Sequence, residues 1–368
     1  MSAPERIAVL GAGGFLGSHL VPALRRRLDC EIEAVDITLA KLQGSDAGVH
    51  RTESRLDTPG LIERITARYP TVISLTALCN PALYTTRPLE VIDANYTDLV
   101  PLVKACAARG NRLIHFSTSE VYGRLALDPS GRPMPEMIED RSGLFLGPLH
   151  RERWTYACAK QLLERVIWAH GQHGGLDFTI IRPFNVIGPR MDFLPGIDGE
   201  GVPRVLASFM NALLRGNPLP LVEGGNQRRT FVSVHEFIDA VVRVVERRGA
   251  CRGEVLNLGN PDNNVTIRAL AESMASAFAA AHPQSPAAQL HTVTAEELYG
   301  PGYDDTEERI PDIAKARRLL GWNPRVPLPD MLPEIIDDYV TRYRPQIEAE
   351  PATPAPVIQL ASGGSRRH

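Results

Sequence analysis

A doubly wound parallel α/β sheet with a smaller, interleaved second lobe is the fold this sequence predicts, on three observations. Short apolar runs, from Ile7-Ala8-Val9-Leu10 to Phe178-Thr179-Ile180-Ile181, alternate with stretches of helical spacing. The first run passes straight into a glycine cluster, Gly11-Ala12-Gly13-Gly14-Phe15-Leu16-Gly17, that opens a helix. A chain of 368 residues is long enough for one catalytic unit of two lobes.

Taken in order, Ile7 to Leu10 reads as a buried strand, followed by a helix from Ser18 to about Arg27. Glycines at 11, 14 and 17 allow a tight turn, close approach of backbone to a pyrophosphate, and close packing of helix on strand. Phe15 and Leu16 sit at the same helix entrance, where free N–H groups face the anion. A second strand, Ile32 to Val35, ends at Asp36, whose carboxylate accepts both ribose hydroxyls and repels a 2′-phosphate. The expected cofactor is therefore NAD rather than NADP. Thr71 to Leu75 is the next buried strand, and Leu75 at its end joins the expected cofactor contacts. Asp57 reads equally as an adenine contact or as a solvated loop carboxylate.

A helix is expected from about Leu89 to Arg109 and a strand over Leu113 to Phe116, which leaves Ser117-Thr118-Ser119-Glu120 at the carboxyl edge where ligands of such sheets lie. Asp128 to Gly147 is rich in Pro, Gly and charge and reads as a long loop able to cover that edge. The next helix, Arg151 to His173, carries Tyr156 and Lys160, and the strand Phe178 to Ile181 leads into Arg182 to Arg190. From Met191 the composition shifts toward loops. Phe231 to Glu246 and Glu254 to Leu258 read as a helix and a strand returning to the sheet, and helical pattern resumes over Thr266 to Ala281 and Ile313 to Leu320. The expected division is a dinucleotide-binding (Rossmann) domain over 1–190 with 231–262 returning to it, a substrate lobe over 191–230 and 263–347, and a disordered tail over 348–368.

Bulk properties exclude several classes. A net charge of −3 gives no basic footprint for nucleic acid. Five cysteines at wide spacing, with no CxxC pair, fit reduced thiols and neither a disulfide framework nor a metal site. The first residues lack a signal-peptide pattern and no apolar run reaches the ~20 residues of a membrane span. A soluble, cytoplasmic protein is expected.

The chemistry centres on Tyr156 and Lys160, which four-residue spacing places on one helix face, with Thr118 at the nearby strand end. A phenol titrates near ~10, and a neighbouring ammonium together with a positive nicotinamide ring is expected to bring it toward the working range. The trio then takes a proton from an alcohol while NAD takes the hydride.

Longer blocks carry a resemblance. Leu78-Cys79-Asn80-Pro81 through Tyr84 to Leu89, Phe116 to Gly123, Arg153 to Leu162, Arg182 to Arg190, Met191 to Gly199, and Tyr299 through Asp305 to Arg309 are together similar to the extended short-chain dehydrogenases acting on nucleotide sugars. Within them the chain most resembles the NAD-dependent UDP-glucuronate decarboxylases, including the polymyxin-resistance decarboxylase domain and the UDP-apiose/UDP-xylose synthases. The resemblance implies a UDP-glucuronate substrate and a homodimer formed through the helices around 89–109 and 151–173, whose apolar faces are equally compatible with burial inside one chain. It places Glu120 near carbons 4 and 5 of the sugar, Arg309 at the carboxylate, Tyr84 near the glucuronate, and Asn185, Arg204, Gln227, Arg229 and Tyr303 on the uridine diphosphate. Pro220 stands where these relatives usually have a lysine.

Neighbouring reactions are separated by few residues. Sugar dehydratases follow the threonine with an aspartic acid that protonates a leaving hydroxyl; Ser119 is too weak an acid for that task. A 4-epimerase is the alternative, although such enzymes usually lack Glu120 and the block ending in Arg309. A regulatory protein that binds NAD without turnover is more remote, since Tyr156 and Lys160 are both present. The apiose-forming enzymes carry two site cysteines, of which this chain keeps Cys79 and has Ser119 for the other. Cys79 reads equally as a buried small hydrophobe. The expected products are UDP-xylose and UDP-4-keto-pentose, with UDP-apiose disfavoured.

Overall fold

The computed structural model describes residues 4–44, 47–128, 130–199, 201–299 and 308–349. Its central sheet has seven parallel strands: β1 (Glu5–Leu10), β2 (Cys30–Asp36), β3 (Val49–Glu53), β4 (Thr71–Ser74), β5 (Arg112–Phe116), β6 (Asp177–Pro183) and β7 (Glu254–Leu258). They lie in the order β7-β6-β5-β4-β1-β2-β3. The order in which successive strands are added reverses between β1 and β4, with Ile7 opposite Ile32 on one side and Thr71 on the other. A crevice opens at the carboxyl edge of such a switch point. Every residue of β4 and β5 is buried, which is why these strands read as continuous apolar runs rather than alternating ones.

Eight longer helices frame the sheet and the second lobe: α1 (Phe15–Arg27), α2 (Leu61–Arg68), α3 (Val100–Arg109), α4 (Thr155–Gly174), α5 (Val205–Arg215), α6 (Val234–Glu246), α7 (Ile267–Ala281) and α8 (Leu328–Ala349). One sheet face, through Ile7, Val9 and Ile114, packs on Leu20 of α1 and Val241 of α6. The other, through Ala8, Val72 and Leu113, packs on Leu102 of α3 and Leu163 of α4. A separate apolar cluster joins Leu206 and Phe209 of α5, Leu270 and Met274 of α7, and Ile335 and Tyr339 of α8, with no residue from the seven-stranded sheet. The chain enters this cluster after β6, returns with α6 and β7, and enters it again with α7.

Several elements differ from expectation. α1 starts at Phe15, not Ser18, because Gly14 is the extended N-cap. The helix expected over 89–109 is broken: Pro88–Ile92 is followed by a wide π turn at Asp93–Thr97, and α3 begins only at Val100. Two groups break it. The Asn95 side chain donates to the carbonyl of Val91 (2.8 Å), and Pro101 has no N–H to continue the ladder. The helix expected from Arg151 begins at Thr155 after a short 3-10 turn, and the one expected from Phe231 begins at Val234, capped by Ser233, whose hydroxyl accepts from the His235 N–H. Within 128–147, Glu136–Met137 pairs with Ile310–Pro311.

The largest unexpected element is α8, with 22 residues. Pro333 and Pro345 within it read as breakers, yet Leu328, Met331, Leu332, Ile335, Ile336, Tyr339 and Tyr343 fall on one helical face and are buried. The helix also extends through Ala349 into the region expected to begin a tail; residues 350–368 lie outside those described. No helix among the described residues is long and apolar enough to cross a membrane.

Candidate active site

The β1–α1 turn has steric reasons for its glycines. Gly11 sits at φ +85°, and a Cβ there would lie 2.9 Å from the Leu75 carbonyl carbon; one on Gly13 would strike the Thr38 carbonyl and one on Gly17 the Gly11 carbonyl. Gly14 differs: a Cβ on it would meet nothing closer than 3.5 Å. The protein's own packing leaves that side of the turn open, at the N-terminus of a helix with no acidic residue in its first turn and no side-chain cap, so the turn fits a dinucleotide pyrophosphate. Phe15 and Leu16 pack at the helix entrance, Phe15 touching both the sheet-side cluster and the second-lobe cluster. Asp36 accepts from the N–H groups of Gly13 (2.9 Å) and Ile37 (2.7 Å), which aims its carboxylate at the turn; burial, outweighing these bonds, raises its pKa above the ordinary value. Leu75, which donates to the Leu10 carbonyl, forms the floor. Asp57 is exposed and pairs with Arg55 (3.0 Å).

At the end of β5 the backbone turns into a 3-10 segment, Ser119–Tyr122, capped by the Thr118 hydroxyl, which accepts from the Glu120 N–H (3.1 Å). The Thr118 side chain lies close enough to the Tyr156 phenol to lower its pKa. Tyr156 is buried and stacks on Tyr84, with ring centroids 5.2 Å apart and planes 10° from parallel. Lys160, one turn along α4, is fully buried and donates to the Phe116 carbonyl (3.1 Å). Burial raises the Tyr156 pKa well above its ordinary value, while the Thr118 side chain and the Arg204 charge work to lower it. Lys160 itself is pushed down to about 8 by burial. A positive nicotinamide ring beside the phenol would work against the effect of burial.

Beside this pair lies a charged cluster. Glu120 accepts from Arg153 at 2.6 and 3.3 Å and lies 3.7 Å from Arg309; both arginines are 4% exposed. Burial works to raise the Glu120 pKa, but Arg153, Arg309 and Arg229 together overcome it and hold the carboxyl below its ordinary range. Arg153 also lies over the Tyr84 ring at 5.7 Å, joining the cluster to the stacked tyrosines. Arg309 is delivered by the pairing of Ile310–Pro311 with Glu136–Met137, and its carbonyl accepts from the Thr230 hydroxyl (2.5 Å). Ser119 is buried beside Glu120. Cys79 is exposed, which excludes the reading as a buried hydrophobe, and its thiol is close enough to act electrostatically on Tyr84, Tyr156 and Lys160.

The remaining expected residues line the second-lobe side. Asn185 donates to the Thr230 carbonyl (3.0 Å). Arg204, at the start of α5, is held by Asp192, whose carboxylate accepts from its N–H (2.9 Å) and its Nε (3.1 Å). Gln227 and Arg229 are half-buried, Arg229 within the strand Arg228–Thr230 that pairs with Asn264–Thr266 and Gln227 just before it. Tyr303 lies outside the described residues. Arg153 is the site residue that sequence reasoning missed. Its signal was its place three residues before Tyr156, within reach of the same helical face.

A parallel sheet that presents a dinucleotide turn and a buried tyrosine–lysine pair at one edge defines the extended short-chain dehydrogenase class. The family model described as NAD dependent epimerase/dehydratase family matches residues 7–259, and the chain belongs to that family. It is 43% identical over 369 residues to the UDP-D-apiose/UDP-D-xylose synthase of Oryza sativa subsp. japonica, covering 95% of this chain and 92% of that protein. Among solved structures it is similar to the PbgP3 protein from Burkholderia pseudomallei, at 32% identity and a TM-score of 0.79 over 92% of this chain and 97% of that one. It is also similar to MoeE5, solved in complex with UDP-glucuronic acid and NAD, at 26% identity and a TM-score of 0.69 over 92% and 99%.

Proposed function

We propose that this protein is an NAD-dependent UDP-glucuronate decarboxylase of the UDP-apiose/UDP-xylose synthase type. The observation that carries the reading is the ionised Glu120 held between Arg153 and Arg309 beside the Thr118–Tyr156 pair. NAD, when bound, accepts the hydride from carbon 4 of the sugar and can return it. Gly11, Gly14, Phe15, Leu16, Gly17, Asp36 and Leu75 hold the cofactor in this reading. Tyr156 takes the proton of the 4-hydroxyl, Thr118 orients that hydroxyl, and Lys160 fixes the geometry from beneath. A ketone at carbon 4 stands β to the carboxylate, so carbon dioxide leaves and its bonding electrons pass into the enolate.

Arg309 binds the carboxylate before it departs, Tyr84 packs against the sugar, and Glu120 with Arg309 manages the proton that returns to carbon 5. Asn185, Arg204, Gln227, Arg229 and Tyr303 hold the uridine diphosphate, which makes the cluster around α5, α7 and α8 the substrate lobe. Product distribution turns on Cys79 and Ser119: with one site cysteine and one serine, UDP-4-keto-pentose and UDP-xylose are the expected products. A homodimer in the cytoplasm completes the proposal; the dimer is supported by the apolar residues Leu89, Ile92, Leu162 and Trp168, which remain exposed on the segment before α3 and on α4.

Incubation of the NAD-loaded protein with UDP-glucuronate tests the reading. Carbon dioxide release with a UDP-pentose in the NMR spectrum is expected; release of none, or recovery of a 4-epimerised uronate, overturns it.

A further inference from the structure

Lys41 lies on the loop that follows Asp36, and its side chain leaves that loop for the second lobe. Its ammonium donates to two backbone carbonyls, those of Arg190 and Asp192, each at 3.3 Å. The segment it grips is unusual. Arg190 (φ 62°) and Asp192 (φ 58°) are two of the three non-glycine residues with positive φ among those described. Side chains disfavour that backbone region, so two such residues flanking Met191 persist only where the surroundings fix them.

The same short segment is tied on every side. The Arg190 N–H donates to Asp338 of α8 (2.8 Å), and its guanidinium reaches His19 of α1 (3.1 Å). The Met191 carbonyl accepts from the Tyr339 hydroxyl. The output of the segment is the Asp192 carboxylate, which holds both the N–H and the Nε of Arg204. At the other end, the loop bearing Lys41 is packed on the dinucleotide turn, since Thr38 lies where a Cβ of Gly13 would be. A continuous path of contacts therefore runs from the glycine turn through Lys41 and Asp192 to Arg204.

We propose that Lys41 is a positioning residue for the substrate diphosphate: by clamping the Arg190–Asp192 backbone it aims Asp192, and through it Arg204, from the cofactor's ribose loop. The proposal rests on the reading of Arg204 as a diphosphate ligand. In this role Lys41 acts on affinity rather than on the chemical step. An ammonium suits the task because its several N–H donors satisfy two converging carbonyls at once.

The test is a double-substitution cycle in the NAD-loaded protein, with UDP as the calorimetric probe and UDP-glucuronate for kinetics. Lys41→Met is expected to weaken UDP binding and raise KM about tenfold while kcat and NAD affinity stay within about twofold, and Lys41→Arg, which keeps the charge, is expected to recover most of the affinity. In an Arg204→Met background, Lys41→Met is expected to have no further effect on UDP. Equal weakening in both backgrounds, or a fall in kcat with KM unchanged, overturns the role assigned to Lys41. An Arg204→Met protein that binds UDP as tightly as the unaltered one overturns instead the reading of Arg204 on which the proposal stands. Should Lys41→Met not fold, Asp192→Asn takes its place in the cycle, with the same expected non-additivity and the same overturning result.

Discussion

Tyr156 and Glu120 share one cleft and are built in opposite ways. Tyr156, Lys160 and Thr118 come from one helix and one strand end; the environment is desolvated, and burial pushes the phenol up and the ammonium down. Glu120 meets Arg153 from the approach to α4 and Arg309 from a segment 189 positions further along the chain (309 − 120), and the environment is ionic, holding the carboxylate charged. The difference teaches where each half keeps its specificity. The tyrosine side is dominated by burial, whereas the glutamate side carries a charge pattern set by its arginines, and in the proposed function that pattern is what receives a carboxylate-bearing sugar.

The largest effect should come from the tyrosine side. Tyr156→Phe keeps the stack on Tyr84 and removes the proton acceptor, and a loss of roughly 10³-fold or more in kcat for carbon dioxide release is expected. Retention of more than a tenth of the activity would erase the contrast between the two halves. On the glutamate side, Arg309→Met should lower kcat/KM for UDP-glucuronate by about 10²-fold while leaving NAD binding unchanged by fluorescence titration.

Arg153→Met separates stability from chemistry. It leaves a buried carboxylate short of its nearest cation, and denaturant unfolding should show a loss of about 3 kcal/mol. Loss of under 1 kcal/mol would mean that Arg309 and Arg229 suffice to hold Glu120.

The smallest effect sharpens the contrast through pH. Lys160, depressed to about 8 in the folded protein from an ordinary 10.5, binds fewer protons folded than unfolded between those values. Its contribution to stability therefore rises as pH climbs from about 8 to about 10.5 and is flat below that window. Lys160→Met should flatten this part of the profile in denaturant titrations at pH 8, 9 and 10; an unchanged slope would show that the ammonium is not held at about 8.

Much of the first half was legible because its signals are local. The glycine turn, Asp36, and the Tyr156–Lys160 spacing each report on a strand end or a helix face within a few residues, and the structure places them at one sheet edge. The break in the helix expected over 89–109 was not legible from apolar spacing, since it arises from the Asn95 side chain taking a backbone acceptor and from Pro101, neither of which alters the apolar pattern. α8 was obscured for the opposite reason: proline punctuation hid an apolar stripe that only packing against α5 and α7 rewards.

The sequence by itself therefore determined the sheet, the glycine turn and the placing of Tyr156 and Lys160 on one helix, because strand runs and helical spacing encode them over short distances. Resemblance in scattered blocks further marked Glu120 and Arg309 as candidates. Only the tertiary structure decided that Arg153 and Arg309 converge on Glu120, that Cys79 is exposed beside Tyr156, and that Asp192 holds Arg204 under the grip of Lys41. Those are contacts between segments far apart in the chain, and their geometry is fixed by the packing of two lobes rather than by any local preference.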